Sequence, residues 1–234
     1  MTRPVLTLLA LLAVLLAACQ QVGRLLDPDV AQLERFQQAR ARGDLRAIAD
    51  EEVVETCQHA GTEACARLMA IRAESCLALA MARRAPGAAC PAATAEARAE
   101  LACAHAAFAA AMGSPAGRFT EAQVLALRQG RAQAAYCRAE LETVMAGVPL
   151  ARESLSLSAG LPPARRAAIG GSAALYLARP GAGADSVRCE RAREAARLAA
   201  AGLAANPEVE ERALLLRLAA DAAARRATIP GCTP

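Results

Sequence analysis

Apolar residues run through this chain in long Ala- and Leu-rich blocks interleaved with Arg and Glu, all strong helix formers, and no segment reads as a strand. Asp27-Pro28 sets a cap before a proline at the first helical position, predicting a helix that closes near Arg42-Gly43. Asp44 caps a second helix, expected to stop at Gly61. Thr62 opens a long helix ending before Pro86. After a loop around 85–91, a fourth helix is expected from Ala93 to Met112, with Gly113 behind it. Thr120-Glu121-Ala122-Gln123 fits a capping box and opens a helix reaching Ala146-Gly147.

The stretch 148–184 holds Pro149, Pro162-Pro163, Gly170-Gly171 and Pro180, so shorter helices and a joint are expected there. Two cleaner helices follow, near 186–205 and 207–227, joined at Asn206-Pro207. Within the last, Val209, Ala213, Leu216 and Ala220 fall on one face at helical spacing. Short connections imply antiparallel neighbours, and abundant Ala lets helix axes approach closely. The expected fold is all-α: antiparallel helical hairpins stacked in one domain over 27–234.

Residues 1–18 stand apart from that domain. Arg3 gives a positive start, and Val5 to Ala18 is apolar except for Thr7. That run is shorter than the roughly 20 residues a membrane-spanning helix needs, and the pattern is that of an export signal. Leu16-Ala17-Ala18-Cys19 resembles the lipobox of bacterial lipoproteins. The resemblance implies cleavage before Cys19, a diacylglycerol on its sulfur and an acylated new amino end, with 19–26 as a short tether. Each buried methylene contributes about 0.8 kcal/mol, so several acyl chains hold firmly where one binds reversibly. Gln20 follows the cysteine instead of the Asp that retains many such proteins at the inner membrane, so the outer membrane, facing the periplasm, is the expected location.

Charge adds little. The net charge of +4 falls to +3 once Arg3 leaves with the signal, and all 27 basic residues are Arg. Acidic residues are interspersed and aromatics are scarce, which argues against base-stacking platforms and a nucleic-acid partner. Cysteine count changes the picture more. With Cys19 set aside, eight remain, and an even set in an exported chain reads as disulfides formed in an oxidising compartment.

Two repeat families are resembled. Ala195 through Pro207, AARLAAAGLAANP, is similar to the second helix of a tetratricopeptide repeat, and EVEERALLLRLAADA after Pro207 looks like the following first helix. Residues 75–112 echo the pattern, while helix spacing elsewhere departs from a strict 34-residue period. The resemblance implies a tetratricopeptide-like array. Cys57 and Cys65, set around Gly61, resemble the cysteine pair of Sel1-like repeats, which implies a Cys57–Cys65 bridge across one hairpin turn. Eight cysteines allow 105 connectivities. Hairpin symmetry suggests Cys76–Cys103 about residue 89 and Cys189–Cys232 between helix ends, which leaves Cys90–Cys137.

Candidate chemistry is sparse. Cys57-x-His59 and Cys103-x-His105 pair thiols with the two histidines, but lack the usual CxxC partner and would be oxidised, so no metal site is expected. Ser154, Ser156 and Ser158 alternate in a loop-like stretch without a nucleophile elbow. Gly170-Gly171 and Gly181-x-Gly183 lack the Lys and Ser/Thr of a phosphate loop and read as hinges or turns. Glu51, Glu52 and Glu55, and Glu208, Glu210 and Glu211, read as solvated faces or first helical turns rather than paired catalytic carboxylates. Arg83-Arg84, Arg165-Arg166 and Arg225-Arg226 read as cover for helix ends. The chain is expected to be a non-enzyme without catalytic residues or cofactors, held at the membrane through Cys19 and binding an envelope protein partner. Its competing readings are an envelope enzyme acting on peptidoglycan and a structural envelope lipoprotein.

Overall fold

The computed structural model describes residues 27–57 and 61–232, and among these it is helical with no strand. The helices are α1 (Pro28–Ala41), α2 (Leu45–Asp50), α3 (Glu63–Ala82), α4 (Ala95–Gly113), α5 (Glu121–Leu141) and α6 (Val144–Ser158). They continue as α7 (Pro163–Arg166), α8 (Ser172–Leu177), α9 (Asp185–Ala204) and α10 (Val209–Thr228). The wide π turn Ala167–Gly171 joins α7 to α8 without a break.

Local side-chain caps set the starts of α2, α3, α4 and α5. Asp44 accepts from the Ala47 amide, Thr62 from Cys65 and Thr94 from Ala97, each at 3.1 Å. Thr120 and Gln123 form the reciprocal capping box, satisfying amides that a helix leaves orphaned. Asp27 departs from this, because its side chain makes no cap bond.

Two helix ends differ from expectation. The second helix stops at Asp50 rather than Gly61, and the chain runs on through extended Glu51 to a 3-10 turn at Glu55–Cys57. Gln32, fully buried, donates to Glu52 O at 2.7 Å and accepts from Val54 N at 3.0 Å. Arg72 donates to the carbonyls of Ala49 and Glu51. These side chains engage backbone groups that a longer helix would pair internally. Likewise α5 ends at Leu141, whose carbonyl accepts from Arg98 at 3.1 Å, and the chain restarts as α6 instead of reaching Gly147.

The stretch 148–184 is helical and supplies core. Helix α6 runs through Pro149, whose ring lies on an exposed side. Ser154, Ser156 and Ser158 therefore lie on this helix rather than in a loop. Gly170 and Gly171 are not loop hinges either: they sit in the π turn, where a Cβ on Gly171 would meet Leu218 Cδ2 at 2.6 Å. Gly181, at φ +83°, does make a turn.

Successive helices pack antiparallel. Cys76–Cys103 and Arg83–Glu100 tie α3 to α4, while Phe108 sits against Gly130 between α4 and α5. Arg131–Glu153 and the Ser154 hydroxyl on Ala132 O join α5 to α6. Ala167 meets Gly202 on α9, and Cys189–Cys232 closes α9 on the chain after α10. Helices α1 and α3 run parallel, with Thr62 donating to Asp29 at one end and Arg40 paired to Glu74 at the other. The bridges are Cys57–Cys65, Cys76–Cys103, Cys90–Cys137 and Cys189–Cys232.

One core gathers Phe36, Ile48, Leu68, Phe108 and Leu127; a second gathers Leu101, Tyr136, Tyr176 and Leu177. Burying each such side chain contributes about 1.5–3 kcal/mol. On α10 the buried side carries Leu215, Leu218 and Ala222. The apolar face marked by Val209, Ala213, Leu216 and Ala220 points instead to solvent.

Candidate functional site

A groove of about 300 Å³ opens between α1, α3 and α5. Its floor is the α3 face carrying Arg67, Ala70, Ile71 and Glu74, residues three and four apart and so stacked on one side of the helix. Gln37 and Arg40 of α1 form one wall; Gln123, Ala126 and Leu127 of α5 form the other, with Phe119 at its lip. Leu127 belongs to the first core and Ile71 packs against it, so the apolar part of the lining is backed by that core. Arg40 pairs with Glu74 at 2.8 Å across the groove, and Arg67 with Glu63 at 2.6 Å beside it. The arrangement offers apolar contact flanked by guanidinium and amide groups.

Charged groups elsewhere are drawn into internal networks. His105 on α4 bonds Glu153 of α6 at 3.0 Å through Nε2 and Arg138 of α5 at 2.8 Å through Nδ1, and Arg131 holds the other Glu153 oxygen. Burial pushes the His105 imidazole below its ordinary value; Glu153 opposes that, while Arg138 and Arg131 add to it. Both ring nitrogens are engaged, so His105 positions helices rather than presenting a free base.

Glu100, only 4% exposed, takes Arg83 through both carboxylate oxygens and Arg46 at 2.6 Å. Burial would raise its carboxyl, but the hydrogen bonds from Arg83 and Arg46 outweigh that and hold it below the usual range. Tyr136 donates to Glu140, which also receives Arg179, and burial drives the Tyr136 phenol well above its ordinary value. Arg179 in turn stacks over the Tyr176 ring at 4.3 Å.

Several sequence candidates separate. Cys19, its lipobox, residues 1–26 and His59 lie outside the described residues. Cys103 is bridged to Cys76, so it offers no thiolate beside His105. Asp29 lies with the Cys57 and Cys65 sulfurs in a buried cluster, but those sulfurs are bonded to each other. The Ser154 hydroxyl donates to Ala132 O, and that of Ser158 to Leu155 O. Glu51 is not simply solvated: it takes Arg35 and Gln32, whose bonds outweigh its burial and lower its carboxyl. Glu210 and Glu211 do occupy the first turn of α10 and Arg225 and Arg226 its last, while Glu211 also pairs with Arg165 at 3.6 Å.

Sequence reasoning singled out none of the groove residues for binding. The 67/70/71/74 spacing was a usable signal for a mixed face, but not for which walls enclose it. Comparison with family models, with curated proteins and with solved structures finds no match to this chain.

Proposed function

We propose that this protein is an exported lipoprotein, tethered at the outer membrane through Cys19, that binds a polypeptide segment of another envelope protein in the α1–α3–α5 groove. The observation that carries the reading is the groove itself: Ile71 on its floor and Leu127 in its wall, both backed by the core, beside Arg40, Glu74 and Gln123. The hairpin stacking and the parallel run of α1 and α3 support a tetratricopeptide-like use of that surface, since stacked helical units build binding faces without catalytic groups. Four disulfides in the described domain favour an oxidising compartment. Crosslinking in intact cells followed by mass spectrometry tests the binding role. Recovery of a defined envelope protein attached near Phe119 or Gln123 is expected, and attachment elsewhere, or none, overturns the groove. Cell fractionation of Cys19→Ser tests the tether: the variant leaves the membrane fraction, and unchanged membrane association refutes lipid anchoring.

A further inference from the structure

We infer that the cleft between α4 and the C-terminal end of α5 is a binding site for a carboxylate carried on a short aliphatic body. The cleft, of about 270 Å³, is lined by Arg98, Ala99 and Ala102 of α4, by Arg138 and Leu141 of α5, and by Glu142 just beyond it. Ala99 and Ala102 carry only methyl groups, which leaves the cleft open, and the buried Leu141 adds apolar surface to it. Small-ligand sites combine such an apolar lining with a few placed polar groups. Here the polar groups that matter are the guanidiniums of Arg98 and Arg138, which border the same space.

Their partners set these two apart from other arginines packed between helices. Arg46 and Arg83 are taken by Glu100, Arg131 by Glu153 and Arg179 by Glu140. Arg98 instead donates to the Leu141 carbonyl at 3.1 Å, and half-buried Arg138 to His105 Nδ1 at 2.8 Å. Both acceptors are neutral, and among the described residues no carboxylate pairs with either guanidinium. Glu142 is exposed and stands outside ion-pair distance of both. A guanidinium presents a planar fork of N–H donors that matches a carboxylate, and one neutral acceptor leaves most of that fork unused. A carboxylate in the cleft supplies the missing counter-charge, while the aliphatic carbon beside it covers Ala99, Ala102 and Leu141. A bare tetrahedral oxyanion meets the first need and not the second. A free carboxylic acid and the end of a peptide chain share the required chemistry. Arg138 lies about 16 Å along α5 from the Leu127 wall of the groove, so the two sites are independent.

Nuclear magnetic resonance of the protein tests the site, because Arg138 links it to one observable ring. His105 faces Glu153, Arg131 and Arg138, and the Arg138 charge helps to hold its imidazole down. Butyrate and N-acetyl-alanyl-alanine are titrated to about 10 mM at constant ionic strength. N-acetyl-alanyl-alaninamide and inorganic phosphate serve as the uncharged and the non-aliphatic control. Saturable shifts at His105 are expected with one or both carboxylates, and the ring's titration moves upward as Arg138 is neutralised. Equal binding of both carboxylates supports a free acid as ligand, and binding of the peptide alone supports a chain end. Arg98→Gln, at an exposed position, weakens binding about tenfold. Ala102→Leu, which fills the cleft and keeps both charges, has the same effect; if it fails to fold, Arg98→Gln decides. No saturable shift, an equal response to phosphate or to the amide, or binding indifferent to substitution overturns the inference.

Discussion

Arg138 donates to Nδ1 of His105 across 2.8 Å. A guanidinium has only donors, so Nδ1 carries no proton and the imidazole hydrogen sits on Nε2, facing Glu153 at 3.0 Å. The folded structure therefore selects the neutral ring, in keeping with the downward shift that burial imposes on His105. The unfolded ring titrates near 6.5. Between the lowered folded value and 6.5 the unfolded chain binds more protons, so stability is complete above about 6.5 and declines as pH falls through the folded value. Thermal unfolding followed from about pH 8 to pH 5 shows that decline. His105→Gln, whose amide still donates to Glu153, flattens it across that window. An unchanged pH profile in the variant assigns the decline to other groups.

The starts at Asp44, Thr62 and Thr120 were legible because their causes are local: each side chain caps an amide three residues ahead. The ends of α2 and α5 were not, since Gln32, Arg72 and Arg98 reach them from other helices. Periodicity identified an apolar face on α10 but not its direction, because Leu215, Leu218 and Ala222 mark a second face at equally regular spacing. Glu100 illustrates the same limit. Nothing in its neighbourhood along the chain distinguishes it from a solvated glutamate, and only packing brings Arg46 and Arg83 onto it. The groove shares that origin, for its walls come from three helices.

Substitution in the groove separates binding from folding. Gln123 is exposed and its capping partner is Thr120, whereas Ala126 is exposed with no role in a cap. Ala126→Glu places a carboxylate in the wall beside Leu127 without removing any core atom. Partner recovery by crosslinking is expected to fall at least about tenfold, the equivalent of 1.4 kcal/mol, with the melting temperature unchanged. Full recovery would move the binding face elsewhere.

Glycine positions distinguish close packing from mere turn chemistry. A methyl on Gly202 would collide with the Ala167 methyl and lie 2.9 Å from Cδ1 of the fully buried Leu215. Gly202→Ala is expected to cost about 1–3 kcal/mol by overpacking. At Gly113, the last residue of α4, a methyl would meet nothing within 4 Å. Gly113→Ala is expected to stabilise by about 0.4–1 kcal/mol, through lower unfolded-state entropy. Denaturant midpoints at constant slope check both, and the pair fails if their signs agree.

The bridges close loops of very different length, which makes their contributions rankable. Cys57 and Cys65 are separated by 8 residues, Cys189 and Cys232 by 43. Restriction of the unfolded chain gives about 2.5 kcal/mol for the short loop and about 4 kcal/mol for the long one. The ranking also has a structural side. Cys57–Cys65 joins two segments already pinned by Thr62 on Asp29 and by Gln32 on the 52–54 backbone. Cys189–Cys232 fastens the end of the chain beyond α10, where the smaller cluster of Ala178, Ala192 and Ile229 offers less packing to hold it. Replacing both members of a pair by Ala avoids leaving a free thiol. Chemical denaturation of the two double variants is expected to show the larger loss for Cys189–Cys232, together with early proteolysis in the segment that follows α10. Equal losses, or a larger one for Cys57–Cys65, would mean that local strain and packing outweigh loop entropy in this array.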